Sequence, residues 1–167
     1  MNYKYLLTVL VLFPALTIAD NPETYTFQIS KEVSITIKQS KFNPKAHRIE
    51  YSGKGHSKFP IKIDGVAFIP NDFDMPYWEI REFSAVYKGN KYLLDTSNLY
   101  DMWHKDYVPH QHLKVDCIND ICRLIGLFGD AAGTFMVEWE FGKGKSRRVK
   151  ASANEEDTFP LSEHFYK

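Results

Sequence analysis

The sequence predicts a mainly β protein: an antiparallel β-sandwich or sandwich-like roll with one or two short helices and one hairpin disulfide. Three observations lead to this class. Aromatic residues make up 15% of the 167 residues, short segments alternate between apolar and polar side chains, and turn-forming pairs separate these segments. We count about eight or nine such strands and find no internal repeat or interdomain linker, which favours two packed sheets.

Two segments near the start have the alternation of half-buried strands. In the first, Tyr25, Phe27 and Ile29 alternate with polar residues, and in the second Val33, Ile35 and Ile37 do the same. A third strand is predicted at residues 47–51.

Turn-forming pairs then predict two hairpins and one helix. Asp64-Gly65 lies between two short apolar runs, and Gly89-Asn90 separates Val86 and Tyr87 from Tyr92 and Leu93. Residues 95–97 read as a cap for a short helix over residues 98–103.

Cys117 and Cys122 are the two cysteines of the chain. A two-residue turn at Asn119-Asp120 would place them opposite each other at a non-hydrogen-bonded position, where Cα atoms approach to ~4.5 Å. We therefore predict a disulfide that closes this hairpin. A redox-active pair is the alternative, although the spacing is not C-x-x-C.

Two further strands follow the cysteine hairpin. The run CRLIGLF is apolar throughout and predicts a central strand buried on both faces. In TFMVEWEF one face carries Phe135, Val137, Trp139 and Phe141. A turn at Lys143-Gly144 would then set Glu140 opposite Arg147 and help to fix the register.

Residues 1–19 have the pattern of a secretory signal peptide. Lys4 precedes an apolar run over residues 6–18, which closes on the small residue Ala19. Because a membrane span needs about 20 apolar residues, we expect cleavage after Ala19 and no stable membrane insertion. Residues 20–167 should then form a single β-rich domain. Balanced charge, with 21 basic and 21 acidic side chains, disfavours nucleic-acid binding.

The side chains that could carry chemistry form no complete motif. His104, His110 and His112 resemble part of a zinc or copper site, but we interpret them as exposed histidines beside an edge strand. The acids Asp72, Asp74, Glu79 and Glu82 could supply a hydrolase pair, or start a calcium loop that lacks its remaining ligands. No nucleophile elbow or phosphate loop is present. We therefore expect no enzyme, no metal and no cofactor.

The segment PNDFDMPYW looks more like a recognition surface. It combines aromatic anchors with acidic residues in a loop bracketed by prolines, as protein-binding hot spots do. The predicted partner-binding residues are Asp72, Phe73, Asp74, Tyr77 and Trp78. The alternative for Phe73 and Trp78 is burial beneath the loop. The acidic run at residues 154–157 is a second candidate surface.

The C-terminal half resembles a known class of proteins. The pattern C-x4-C-R-L-I-G-L-F-G-D-A-A-G-T-F-M-V-E-W-E-F, followed by G-K-S-R-R-V-K, is similar to small exported immunity-type proteins of Gram-negative bacteria. The resemblance implies a periplasmic β-rich protein that binds and blocks a cognate secreted antibacterial toxin. A glycan- or small-ligand-binding β-sandwich is the alternative, because aromatic platforms also stack on sugars. A small hydrolase is a second alternative.

Overall fold

The computed structural model of the chain describes residues 21–55, 58–69, 74–129 and 133–165. The predicted signal peptide and the predicted contact residues Asp72 and Phe73 lie outside the described residues. The described residues form a mainly β fold, as predicted. Its strands are β1 (Glu23–Gln28), β2 (Val33–Lys41), β3 (Ile49–Ser52), β4 (Phe59–Ile63), β5 (Trp78–Tyr87), β6 (Asn90–Leu93), β7 (Leu113–Ile118), β8 (Ile121–Phe128), β9 (Phe135–Gly142) and β10 (Lys145–Ser152).

The strands form two four-stranded sheets and a small third sheet. The first sheet has the order β1-β2-β5-β6 and the second the order β10-β9-β8-β7, while β3 pairs with β4. Every strand pair is antiparallel. The two large sheets bury a shared apolar core, which is the sandwich arrangement that the alternating sequence predicts.

The core is built from the alternate residues of the central strands. Val33, Ile35 and Ile37 of β2 are fully buried, and so is Trp139 of β9. The rings of Phe83 and Trp139 meet edge to face at 4.9 Å across the two sheets. Phe135, Val137 and Phe141 complete the predicted inner face of β9.

Three two-residue turns lie at one end of the sandwich, which we call the hairpin end: Lys88-Gly89, Asn119-Asp120 and Lys143-Gly144. Asn119 and Asp120 both have positive φ, and Cys117 faces Cys122 as predicted. Lys143 and Gly144 form the second turn, and Glu140 faces Arg147 as predicted. Both residues of each of these two turns have the positive φ that type I′ hairpin turns require, so local sequence was sufficient to predict them.

The remaining two hairpin predictions need correction. The turn after β5 is Lys88-Gly89, not Gly89-Asn90, because Lys88 has a φ of 50° and Asn90 already pairs with Tyr87. Asp64-Gly65 does turn, with φ of 53° and 85°, but the chain beyond it makes only a bridge between Val66 and Ile63. The partner of β4 is β3, so this hairpin does not extend.

The predicted helix over residues 98–103 is wrong. Asn98 has a φ of 58° and Asp101 a φ of 50°, and two left-handed residues prevent a helical turn. The predicted cap still forms locally, since the Asp95 carboxylate accepts a hydrogen bond from the Ser97 main-chain N–H at 2.9 Å. The segment is an ordered loop in which Tyr100 forms a bridge with Glu79.

The described residues contain two α-helices, α1 (Pro109–His112) and α2 (Glu155–Phe165), and a 3₁₀ helix at Pro44–Ala46. Helix α2 packs on the outer face of the second sheet, where Phe165 contacts a buried cluster with Leu127 and Met136. The predicted acidic surface at residues 154–157 lies at the start of this helix, and Asp157 forms an ion pair with Lys150. No helix within these ranges is long and apolar enough to cross a membrane.

The disulfide between Cys117 and Cys122 is present, with Cα atoms 4.0 Å apart. Replacing both cysteines by alanine should lower the free energy of unfolding by about 2 kcal/mol, because the bond closes a short loop. Urea titration measures this difference. As a control, wild-type protein in dithiothreitol should lose a similar amount. A variant as stable as the oxidised wild type would contradict the prediction.

Glu82 joins three strands of the first sheet. Its carboxylate meets the Lys91 ammonium at 2.6 Å and the Lys38 ammonium at 3.0 Å, and these partners lower its pKa to about 2. Because the folded-state pKa is depressed, the stabilisation is present above the unfolded pKa of ~4.3 and disappears as the pH falls toward 2.

Glu82→Gln should therefore lower the free energy of unfolding by about 1–3 kcal/mol at pH 7 and by much less at pH 2. Urea titrations at the two pH values measure the effect. Glu32→Gln, which changes an exposed carboxylate between β1 and β2, is the matched control and should change little at either pH. An equal loss for Glu82→Gln at both pH values would contradict the assigned cause.

Candidate functional site

The structure places Tyr77 and Trp78, two of the predicted contact residues, at the beginning of β5. Tyr77 is 60% exposed, and its ring meets that of Trp78 edge to face at 5.0 Å. Asp74, just before them, is exposed, and Pro76 is buried. Burial beneath the loop, the alternative for Phe73 and Trp78, is partly right for Trp78, which is half-buried, and Phe73 lies outside the described residues.

Asp101 holds this pair of aromatic residues in position. Its Oδ1 accepts hydrogen bonds from the main-chain N–H groups of Trp78 at 2.6 Å and Tyr77 at 3.1 Å. The Asp101 N–H donates in return to the Trp78 carbonyl at 3.1 Å, and the Phe42 N–H donates to the Tyr77 carbonyl at 2.8 Å. Tyr77 is therefore exposed on a backbone fixed from both sides, not on a free loop.

We call the hydrogen bonds of Asp101 to residues 77 and 78 the Asp101 clamp. A cleft of about 660 Å³ opens beside it, at the end of the sandwich opposite the hairpin end. We call it the aromatic cleft. Its aromatic side chains are Tyr25, Tyr77, Trp78, Trp103 and Tyr107. Its polar and charged side chains are Glu23, Gln39, Asp101, His104 and Lys105. A concave site with convergent polar groups among aromatic rings is the usual form of a binding site.

Stacked rings support one wall of the aromatic cleft. Trp103 is buried and stacks on Phe27 of β1 with ring centroids 4.8 Å apart. Tyr107 stacks on the imidazole of His112 at 4.0 Å. These contacts join the loop after β6 to strand β1 and helix α1, and so fix the aromatic faces before any ligand arrives.

Hydrogen bonds order the opposite wall. The Tyr25 hydroxyl donates to Glu23 Oε2 at 2.7 Å, and burial together with this carboxylate raises the pKa of Tyr25 to about 12. Tyr25 therefore stays protonated throughout the physiological range. Gln39 is fully buried, and its Nε2 donates to the same Glu23 oxygen at 3.4 Å.

The three histidines of the WHKDYVPHQH segment do not converge. His112 is buried, contrary to the prediction of an exposed side chain; its Nδ1 lies 2.9 Å from the Leu127 carbonyl oxygen, and burial lowers its pKa. His110 is exposed on the same helical turn, and exposed His104 lies 3.2 Å from Asp106. Within the residues that the structure describes, no three His, Cys, Asp or Glu side chains are grouped to hold a metal ion.

Two of the four acids considered for a hydrolase pair, Glu79 and Glu82, lie in separate ion pairs. Asp74 is exposed, and Asp72 lies outside the described residues. Glu82 contacts Lys38 and Lys91, whereas Glu79 contacts the Arg81 guanidinium at 3.0 Å. Neither lines the aromatic cleft.

Of the residues that line the aromatic cleft, the sequence marked only Tyr77 and Trp78 as contact residues. Tyr25, Gln39, Trp103 and Tyr107 come from three distant segments, and only the fold brings them beside Tyr77. Alternation marked Tyr25 as a core-facing residue, and no local pattern marked Asp101 as a partner for residues 77–78.

Fold and site together describe an antiparallel β-sandwich with an aromatic and acidic cleft at one end. No family model, curated protein or solved structure matches the chain. The function therefore has to be inferred from the chemistry of the site.

The Asp101 clamp makes a specific prediction. Asp101→Ala leaves the Tyr77 and Trp78 N–H groups without their acceptor, so we expect a loss of about 2 kcal/mol in the free energy of unfolding. The tryptophan fluorescence should also shift as Trp78 changes its environment. Urea titration and emission spectra measure both effects.

Asp116→Ala is the matched control, because it removes an exposed carboxylate of β7, away from the aromatic cleft. It should change stability and fluorescence little. Equal behaviour of the two variants would show that Asp101 does not order the start of β5.

Proposed function

We propose that the protein is an exported immunity or inhibitor protein, which binds a secreted antibacterial toxin and blocks its active site through the cleft end of the sandwich. The observation that carries this proposal is the aromatic pair of exposed Tyr77 and half-buried Trp78, held by Asp101 at the rim of the aromatic cleft. Interfaces of high affinity are typically anchored by rigid Tyr and Trp side chains near their centre.

Preorganisation supports binding at this end. Asp101 restricts the main chain at Tyr77, and stacking restricts the side chains of Trp103 and Tyr107, which lowers the entropy that binding must offset. Tight inhibitors commonly present such preformed surfaces and change little on binding.

The carboxylates of the cleft are better placed as acceptors than as acid-base groups. Asp101 accepts main-chain hydrogen bonds, and Glu23 accepts bonds from Tyr25 and Gln39. Fixed negative charge suits recognition of a basic surface and gives rapid association with it.

The expected export and the C-terminal resemblance agree with this proposal. Both predict that the protein functions in the periplasm, where a secreted toxin would act on the cell. We also propose that the chain is not an enzyme, because its sequence contains no recognised catalytic motif.

A glycan-binding module is the second candidate. Among the described residues, five aromatic side chains line the aromatic cleft, and such faces also stack on sugar rings. The two candidates differ in the genome, because an immunity gene should lie beside a toxin gene, whereas a glycan-binding module has no such requirement.

The toxin hypothesis predicts the effect of removing the exposed anchors. Tyr77→Ala and Trp78→Ala should each weaken binding of the neighbouring gene's product by about 2 kcal/mol or more, because each removes an aromatic contact at the rim. Asp74→Lys should weaken it further by repulsion from a basic partner. Titration calorimetry and survival of sensitive cells are the measurements.

Phe159→Ala is the matched control: Phe159 is an aromatic residue of α2 that is 66% exposed, and it does not line the aromatic cleft. It should bind and protect as the wild type does. Thermal melts separate misfolding from lost contact. Folded Tyr77 and Trp78 variants that protect fully would exclude this surface.

A further inference from the structure

We propose that His47 is a pH-dependent brace: its doubly protonated ring joins the small β3-β4 sheet to the start of β5 and releases that sheet as the pH rises. We call His47 and its two carboxylate neighbours, Asp64 and Glu79, the His47 brace. These three residues do not line the aromatic cleft, and the brace acts in the free protein whatever its partner is.

The two nitrogens of the His47 ring face two different carboxylates. Nδ1 lies 2.7 Å from Asp64 Oδ2, in the turn that follows β4, and Nε2 lies 3.7 Å from Glu79 Oε2, on β5. An ionised carboxylate has only acceptors, so each nitrogen needs a proton to face one. Neutral imidazole carries a single proton and leaves the lone pair of its other nitrogen against negative charge. Only the imidazolium therefore suits both neighbours.

A buried carboxylate oxygen is the second observation. Glu79 Oε2 is buried and accepts no hydrogen bond from any residue in the described ranges. The Arg81 guanidinium lies 3.0 Å from it, but the hydrogen bond that Arg81 donates goes to Oε1 of the same carboxylate, at 3.2 Å. A buried acceptor without a donor is costly. The protonated Nε2 of His47 supplies both an N–H and a positive charge on this side of Glu79.

The surroundings of the ring favour its charged form. The ring is only 13% exposed, and it stacks on Phe42 with centroids 4.8 Å apart. A cation over an aromatic face is stabilised by the ring quadrupole. The hydrogen bonds from His47 and from the Arg48 N–H lower the pKa of Asp64, so this carboxylate stays ionised where imidazole titrates.

The other charged and titratable groups nearby do not replace the brace. Arg81 is the competing cation on β5, and the Arg48 guanidinium lies 3.7 Å from Glu50 and is largely exposed. Burial, and then the charges of Glu79 and Asp64, raise the pKa of Tyr100, so its hydroxyl stays neutral. His47 is therefore the group of this cluster whose charge changes near neutral pH.

The brace connects two segments that have their own main-chain hydrogen bonds. The Asp64 N–H donates to the Arg48 carbonyl at 2.8 Å, which closes the small sheet beside the ring. The Phe42 N–H donates to the Tyr77 carbonyl at 2.8 Å, just before β5. Opening of the brace should therefore loosen both of these bonds.

The direction of the pH effect follows from the charge of the ring. Histidine changes its charge between about pH 5 and pH 8. Because the folded protein holds the imidazolium between two carboxylates, the stabilisation is present at the acid end of this range and is lost as the pH rises. We therefore expect the small sheet to open more often at pH 8 than at pH 5.

The first test measures this local opening by NMR hydrogen exchange. The amides of Asp64 and Phe42 are the reporters, and the amide of Leu124, in the central strand β8, reports global unfolding. After correction for the intrinsic pH dependence of exchange, the protection of both reporters relative to Leu124 should be about fivefold higher at pH 5 than at pH 8. Equal relative protection at the two pH values would overturn the proposal.

The second test uses variants. His47→Gln keeps a polar side chain that does not titrate, and it should abolish the fivefold difference. Glu79→Gln removes the charge that faces Nε2 and should remove most of it. His110→Gln, which replaces an exposed histidine of α1, is the matched control and should keep the full difference. A folded His47→Gln variant with the pH dependence of the wild type would refute the brace.

A third measurement needs only the wild type, so it decides even if the variants do not fold. The ring ¹⁵N resonances of His47 and the side-chain carboxyl ¹³C resonance of Glu79 are followed from pH 5 to pH 8. We expect both ring nitrogens to be protonated at the acid end, and the Glu79 resonance to move with the same midpoint as those of His47. A Glu79 resonance that does not respond while His47 titrates would overturn the proposal.

Discussion

Trp139 connects the packing of the core to the construction of the cleft. Its ring is fully buried between the two sheets and lies edge to face with Phe83 at 4.9 Å. Its indole N–H donates to the Asp95 carbonyl at 2.8 Å, at the point where the chain leaves β6. Burial of this one side chain therefore serves both sheets and anchors the loop that follows. Loss of the ring would affect the core and the loop together.

The loop after β6 connects the Trp139 hydrogen bond to the end of the sandwich that holds the aromatic cleft. It begins at the carbonyl bonded by Trp139, passes through Asp101, and ends with Tyr107 stacked on His112. Two residues in left-handed conformations let it cross the end of the sandwich without forming a helix. Some of its polar groups are bonded to the strands: the Asp101 N–H donates to the Trp78 carbonyl, and the Ser97 carbonyl accepts from the Arg148 guanidinium. A segment without regular structure can therefore still present rings in fixed positions.

The parts of the fold that the sequence predicts are those set by neighbours along the chain. The Asn119-Asp120 and Lys143-Gly144 turns, and the alternation in β2 and β9, depend on local conformation and on side-chain period. The segment over residues 98–103 was predicted as a helix because its cap is local, whereas the hydrogen bonds that set its path come from β5. The cleft was predicted only at Tyr77 and Trp78, since its other walls are contributed by strands β1 and β2 and by the loop after β6. The burial of Gln39 and its hydrogen bond to Glu23 depend on that assembly, and no pattern in the sequence contains them.

The hairpin end has a consequence for how this sequence can diverge. Three of its turns consist of two residues each, with both residues at positive φ, and one of the hairpins is closed by a disulfide. An insertion there would shift the register and move buried side chains to the opposite face. The longer connections after β6 and before β5 lie at the other end, where a change of length leaves strand pairing intact. Sequence changes can therefore accumulate at one end of the sandwich while the strand register at the other end stays constant, as a family of binders with different targets would require.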